Sequence, residues 1–153
     1  MESTSFFESY PPEPQEVSVS NAIARMIDGL GYRLYWAMRG LREEECAYRL
    51  CADAKSIDEI IRHIFGLVNW VHIHICGRQI ERPANIIEQG YETLSALEHL
   101  RDHFISIDDS DLQKYRLEDR SFWSFINMPL SDALNHVGQV RILRRAAGNP
   151  VEK

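Results

Sequence analysis

The chain has 153 residues, enough for one domain with a single buried core. Hydrophobic residues make up 44% and charged residues 26%, the balance of an ordinary globular protein. A formal net charge of −6 and a sequence pI near 5.5 exclude a general nucleic-acid binder, which would be basic. The basic charge is mostly arginine, with Lys55, Lys114 and Lys153 the lysines. Cys46, Cys51 and Cys76 are an odd number without metal-site spacing, so a reducing, cytoplasmic setting is expected. Residues 1–14 have neither a basic start nor an apolar run and do not read as a signal peptide. The most apolar run, residues 64–76, is broken by Asn69, His72 and His74, and no membrane span is expected.

Residues 1–19 hold Pro11, Pro12 and Pro14 without helical periodicity. They read as an extended arm packed on the body through Phe6, Phe7 and Tyr10. Residues 20–150 read as a single domain and 151–153 as a tail. A first helix should start with Ser20 or Asn21 as its N-cap. Ile23, Ile27, Leu30, Leu34 and Met38 recur every three or four residues along it. Gly29 and Gly31 lower its propensity, so packing must hold it until it ends near Gly40.

A connector with the acidic turn Glu43-Glu44-Glu45 leads to Ser56-Ile57-Asp58-Glu59, a capping box. The second helix buries Ile57, Ile60, Ile61, Ile64, Leu67, Val68, Val71 and Ile75 and stops at Gly77. A second connector contains Pro83. The third helix is expected from about Tyr91 to Ile107, with Leu94, Leu97, Leu100 and Phe104 inward. Asp108-Asp109-Ser110-Asp111 is a polar break. In the ambiguous stretch 112–128, Phe122, Trp123 and Phe125 should cover one end of the molecule. The fourth helix has Pro129 in its first turn and Gly148 and Pro150 at its stop. No alternating pattern builds a sheet. Four helices of bundle length with two long connectors give an all-α four-helix bundle.

The fourth helix places Asp132, His136, Gln139, Val140, Leu143 and Ala147 on one side. An acid, an imidazole and an amide therefore point inward with core residues, and buried polar groups need partners. His63, at the edge of the buried face of the second helix, is the candidate partner. Two imidazoles and a carboxylate suit a divalent cation such as Zn, Ni, Mn or Fe. The plainer alternative is a hydrogen-bonded core histidine beside an acid that complements the helix dipole. His99 and His103 share helical spacing, but a solvated face explains them first. Arg141, Arg144 and Arg145 lie in the last turns of the fourth helix. Charge compensation of the helix end explains them, and an anion site for an acidic substrate is the sharper alternative. No phosphate-cradling glycine loop, serine nucleophile elbow or CxxC motif is found.

Asp132-Ala133-Leu134-Asn135-His136-Val137-Gly138-Gln139, continuing through Arg144-Arg145 to Gly148-Asn149-Pro150, resembles the final-helix signature of the DinB-like superfamily. Ser56-Ile57-Asp58-Glu59-Ile60-Ile61-Arg62-His63 resembles its second-helix motif, and Gly29-Leu30-Gly31-Tyr32-Arg33-Leu34-Tyr35-Trp36 a subgroup feature of its first helix. The resemblance implies a bundle with up-down-down-up connections, a homodimer, and a metal held by one histidine of the second helix and two of the fourth. His63 and His136 match two of these ligands, while Asp132 stands where the third histidine is expected. The site implied is thus His63, Asp132 and His136, with Gln139 orienting a ligand or substrate from one turn away. The function implied is a metal-dependent hydrolase or thiol-dependent transferase acting on a small molecule. The alternative is a non-catalytic, dimeric stress-response or binding module whose metal site has degenerated.

Overall fold

The computed structural model of the chain describes residues 5–151, and these are all-helical apart from loops. Residues 1–4 of the expected arm and 152–153 of the expected tail lie outside the described residues. Three long helices, α1 (Val19–Met38), α2 (Ile57–Cys76) and α3 (Ile86–Ser106), are followed by the short α4 (Asp109–Leu112) and α5 (Trp123–Phe125). A π-turn (Ile126–Leu130) then leads into the fourth long helix, α6 (Ser131–Ala146). No helix among the described residues is long and apolar enough to cross a membrane.

Three helix starts differ from expectation, each for a local reason. The cap of α1 is Ser18, whose Oγ accepts from the Asn21 N–H at 3.1 Å. The Asp109 carboxylate accepts from the N–H groups of Val19 (2.9 Å) and Ser20 (2.8 Å), so an acid distant in sequence completes the cap. Those backbone donors, Ser20 first, hold the Asp109 carboxyl below its ordinary range. Helix α3 begins at Ile86, well before Tyr91. Asn85 Oδ1 accepts from Ile87 (2.8 Å) and Glu88 (3.1 Å), a cap that the nearby Pro83 obscured in sequence. Pro129 lies inside the π-turn rather than in a first α-turn. The Ser131 N–H reaches back to the Ile126 carbonyl, a wider loop that accommodates a ring unable to donate. The capping box of α2 forms as expected, with Glu59 Oε2 accepting from the Ser56 N–H at 2.8 Å and Gly77 closing the helix at φ +67°.

The long helices form a ring in which α1 packs on α3, α3 on α2, α2 on α6, and α6 on α1. Consecutive helices α1 and α2 are therefore diagonal, and so are α3 and α6, which is why their connectors are long. Arg144 near the end of α6 meets Ala37 and Arg39 at the end of α1, so these two helices run in one sense. After Gly77 the chain doubles back along α2. The Ile80 N–H binds Asn69 (2.8 Å), Arg82 lies over the Phe65 ring, and Asn85 reaches Glu43 (2.9 Å). Helix α3 thus starts near the beginning of α2 and runs parallel to it, opposite to α1 and α6.

The core holds the predicted stripes, including Ile27 and Leu34, Ile57 and Ile64, Leu97 and Phe104, with Val140 from α6. Phe104, Phe122 and Phe125 close one end, whereas Trp123 turns outward and is 64% exposed. The arm docks on α1. A Cβ at Gly31 would lie 2.5 Å from the Phe7 ring, so the glycine makes room for a buried aromatic. Its helix penalty of about 1 kcal/mol is outweighed by about 2–3 kcal/mol from burying that ring. Tyr10 stacks on Tyr32 at 4.3 Å, and the Arg25 and Arg101 guanidiniums donate to the carbonyls of Pro11 (2.8 Å) and Pro12 (3.3 Å). Both arginines also bind the buried Asp28 carboxylate, at 3.2 and 3.1 Å. Burial raises the pKa of Asp28, and hydrogen bonds from the two arginines oppose the rise.

Candidate metal centre

The capped start of α2 fixes the rotation that places His63 beside Ile60 and Ile64 at the edge of the core. The π-turn before α6 sets the face that α6 shows to α2. Between these helices His63 Nε2 lies 3.2 Å from Asp132 Oδ2, and His136 Nε2 lies 3.5 Å from Asp132 Oδ1. The two imidazole rings meet edge to face, with centroids 4.6 Å apart and planes at 88°. One ligand atom from each residue lies within 4.8 Å of the other two. Neighbouring ligands around a tetrahedral zinc with bonds of ~2.0–2.1 Å are about 3.3 Å apart. The separations to Asp132, one to each carboxylate oxygen, are close to that edge length, and the three ligand atoms lie within 4.8 Å of one another. Among the described residues this is the one group of histidine, cysteine and acidic side chains that does so.

Gln139 lies one turn beyond His136 and bonds to it. His136 Nδ1–H donates to Gln139 Oε1 at 2.8 Å. With Nδ1 engaged by Gln139, the other ring nitrogen, Nε2, faces Asp132. Ligating histidines are commonly held in this way, the second ring nitrogen fixing tautomer and orientation. Burial differs across the cluster. The His136 side chain is 11% exposed, whereas His63 and Asp132 are 38% and 43% exposed. One ligand is therefore anchored in the bundle, and the other two border solvent, which leaves an approach for a small molecule.

Of the three arginines, Arg144 is engaged at the end of α1. Arg144 is buried, and its Nη1 donates to the carbonyls of Ala37 (2.8 Å) and Arg39 (2.9 Å), at the end of α1. Burial pulls its guanidinium pKa down, with Glu45 opposing. Arg141 lines a groove between α1 and α6, and Arg145 is exposed. Asn149 completes the Arg144 corner. It is placed by the turn at Gly148 (φ +84°), and its Nδ2 donates to Gly40 O and Glu45 Oε2, each at 2.9 Å. Sequence reasoning missed this tie. Its one signal was a helix end near Gly40 with no basic residue in the last turn of α1.

Elsewhere, His99 is exposed as expected, while His103 is half-buried, with Nε2 2.6 Å from the Tyr115 hydroxyl. Burial, then the proximity of His72, lowers the pKa of His103. All three cysteines are unpaired, and burial together with Asp58 and nearby glutamates pushes Cys46 to about 11, so it stays a thiol at neutral pH. No protein-family model, curated protein or solved structure matches the chain.

Proposed function

We propose that the protein is a metal-dependent enzyme, a hydrolase or thiol-dependent transferase, with His63, Asp132 and His136 as the ligands of a divalent cation. The observation that carries this reading is the convergence of three donors from two helices within 4.8 Å, one of them oriented by Gln139. A cation held there would supply Lewis acidity, lowering the pKa of a water or thiol placed against it. The chain's own residues do the rest. Asp132 contributes the negative charge that a set of neutral imidazoles lacks, favouring a 2+ ion. His136 holds its lone pair in place through Gln139. His63, on the solvent side, leaves its flank open for a substrate. The resemblance adds the expectations of a small-molecule substrate and a homodimer, the latter read by sedimentation equilibrium, and the cysteine count that of a cytoplasmic location.

Titrating Zn, Ni and Mn calorimetrically into chelator-treated protein tests the proposal. Saturable binding by the wild type, lost in both His63→Ala and His136→Ala, is the expected result. Binding that survives both substitutions, or absent from the wild type, contradicts it.

One observation favours the alternative of a non-catalytic module. His63 and Asp132 already bond at 3.2 Å, so the cluster is satisfied as a hydrogen-bond network that specifies helix register. Against it, both side chains are more than one-third exposed, and groups in water do not need a partner. His136→Leu distinguishes the readings. A register network predicts an amide spectrum altered along α2 and α6, and a ligand role predicts loss of metal with a wild-type-like spectrum.

A further inference from the structure

On the flank of α6 that faces α1 rather than α2, a groove of about 600 Å³ runs between α1 and α6. Leu30, Leu130 and Val137, all buried, form its floor, and Met26 and Leu134 border it. Met26 is 46% exposed and Leu134 42%, so an apolar side chain on each helix is left uncovered. A Cβ at Gly138 would meet nothing within 4 Å, so this residue adds open space to the groove.

The charge around this groove has one sign. Arg25, Arg33 and Arg141 line it and no acidic residue among those described does, in a chain whose net charge is −6. Arg25 is committed to Asp28 and to the Pro11 carbonyl. Arg33 is placed differently. Its Nη1 donates to the Tyr10 hydroxyl at 2.8 Å and to the Gly29 carbonyl at 2.9 Å. Its Nε and Nη2 have no partner, and the residue forms no ion pair, among the described residues. The Tyr10 oxygen accepts from Arg33 and so keeps its own O–H to donate. Gly29 makes room for this junction, because a Cβ there would lie 3.0 Å from Arg33 Nη1 and 3.9 Å from Tyr10 Oη. A guanidinium with an unused edge and a hydroxyl with an unused proton therefore sit side by side where the groove meets solvent.

We propose that this groove binds a small apolar carboxylate of the fatty-acid class. The carboxylate takes the Nε/Nη2 edge of Arg33 and the Tyr10 O–H, and the alkyl chain covers Met26, Leu134 and the floor between them. The guanidinium fork suits a planar head with two oxygens. An apolar lining with a few placed polar groups is the usual make-up of a small-molecule site, and the volume falls within the usual range of about 300–1,000 Å³. An acidic helix would call for several separated cations, and Arg25 is already taken by Asp28. Because Tyr10 belongs to the arm, the site is complete only with the arm docked. It does not depend on the candidate metal centre.

The test follows the Met26 methyl signal by NMR, assigned with Met26→Leu, while butyrate, hexanoate and octanoate are added singly below micelle-forming concentrations. The expected result is a saturable shift whose affinity rises about threefold per added methylene. Octan-1-ol and octylammonium, which carry the same chain without the negative charge, should bind at least about tenfold more weakly than octanoate. Arg33→Gln and Tyr10→Phe should each weaken octanoate by at least about fivefold. His63→Ala should leave its affinity unchanged, which separates this groove from a carboxylate bound to a metal. The comparison of head groups uses the wild-type protein and stands whether or not a variant folds. Absence of a saturable shift with every carboxylate, or binding of octan-1-ol or octylammonium as tight as that of octanoate, overturns the proposal. A Met26 signal that moves with protein concentration alone overturns it too, because the groove is then covered by a second copy of the chain.

Discussion

The two halves of α6 use one continuous stretch of sequence for opposite purposes. From Asp132 to Gln139 the polar side chains face α2 and converge, two of the group still in reach of solvent. From Arg144 to Asn149 they turn away from that site and bind backbone carbonyls at the far end of α1. The first half presents donor atoms that a ligand can take. In the second, Arg144 Nη1 and Asn149 Nδ2 donate to groups of the protein itself. A buried guanidinium that satisfies two helix-end carbonyls is part of the scaffold.

The largest expected effect tests the first half. His136→Ala should abolish divalent-metal binding in calorimetry, with a stability change of about 1 kcal/mol by urea denaturation. If stability collapses instead, the two halves are not distinct. Arg144→Ala tests the second half. Loss of two charge-assisted bonds to buried carbonyls should cost about 3 kcal/mol in urea denaturation, while the folded fraction keeps its metal affinity. Removal of the orienting bond in Gln139→Leu should weaken metal binding by about 10–100-fold with the fold intact.

The smallest effect concerns Glu45, where burial alone would raise the pKa but hydrogen bonds from Asn149 and Arg42 bring it below its ordinary 4.5. A carboxylate with a lowered folded pKa contributes stability above its unfolded value, and that contribution is lost as pH falls through the folded value. Glu45→Gln should therefore be less stable than wild type at neutral pH, and the gap should close as pH drops below about 4.5. A gap that widens in acid would show that Glu45 does not belong to the Arg144 corner as described.

The fold was legible because its signals are local. The stripes of α1 and α2, the capping box at Ser56 and the stop at Gly77 need only neighbours in sequence. The starts of α1 and α3 were placed late for different reasons. Asp109 completes the α1 cap from across the bundle, which no local pattern reveals, whereas Asn85 was masked by Pro83. Of the candidate site, His63, Asp132 and His136 were readable from helical facing, and Gln139 from its place one turn on. Arg144 was not, because helix-end arginines compensate a dipole far more often than they reach another helix's carbonyls.

The most direct test of the central claim is the metal content of untagged protein, purified without chelator and measured by mass spectrometry beside His63→Ala and His136→Ala. The account predicts a near-stoichiometric divalent metal in the wild type and its loss in both variants. Metal-free wild-type protein whose thermal stability is unmoved by added Zn, Ni and Mn would contradict it.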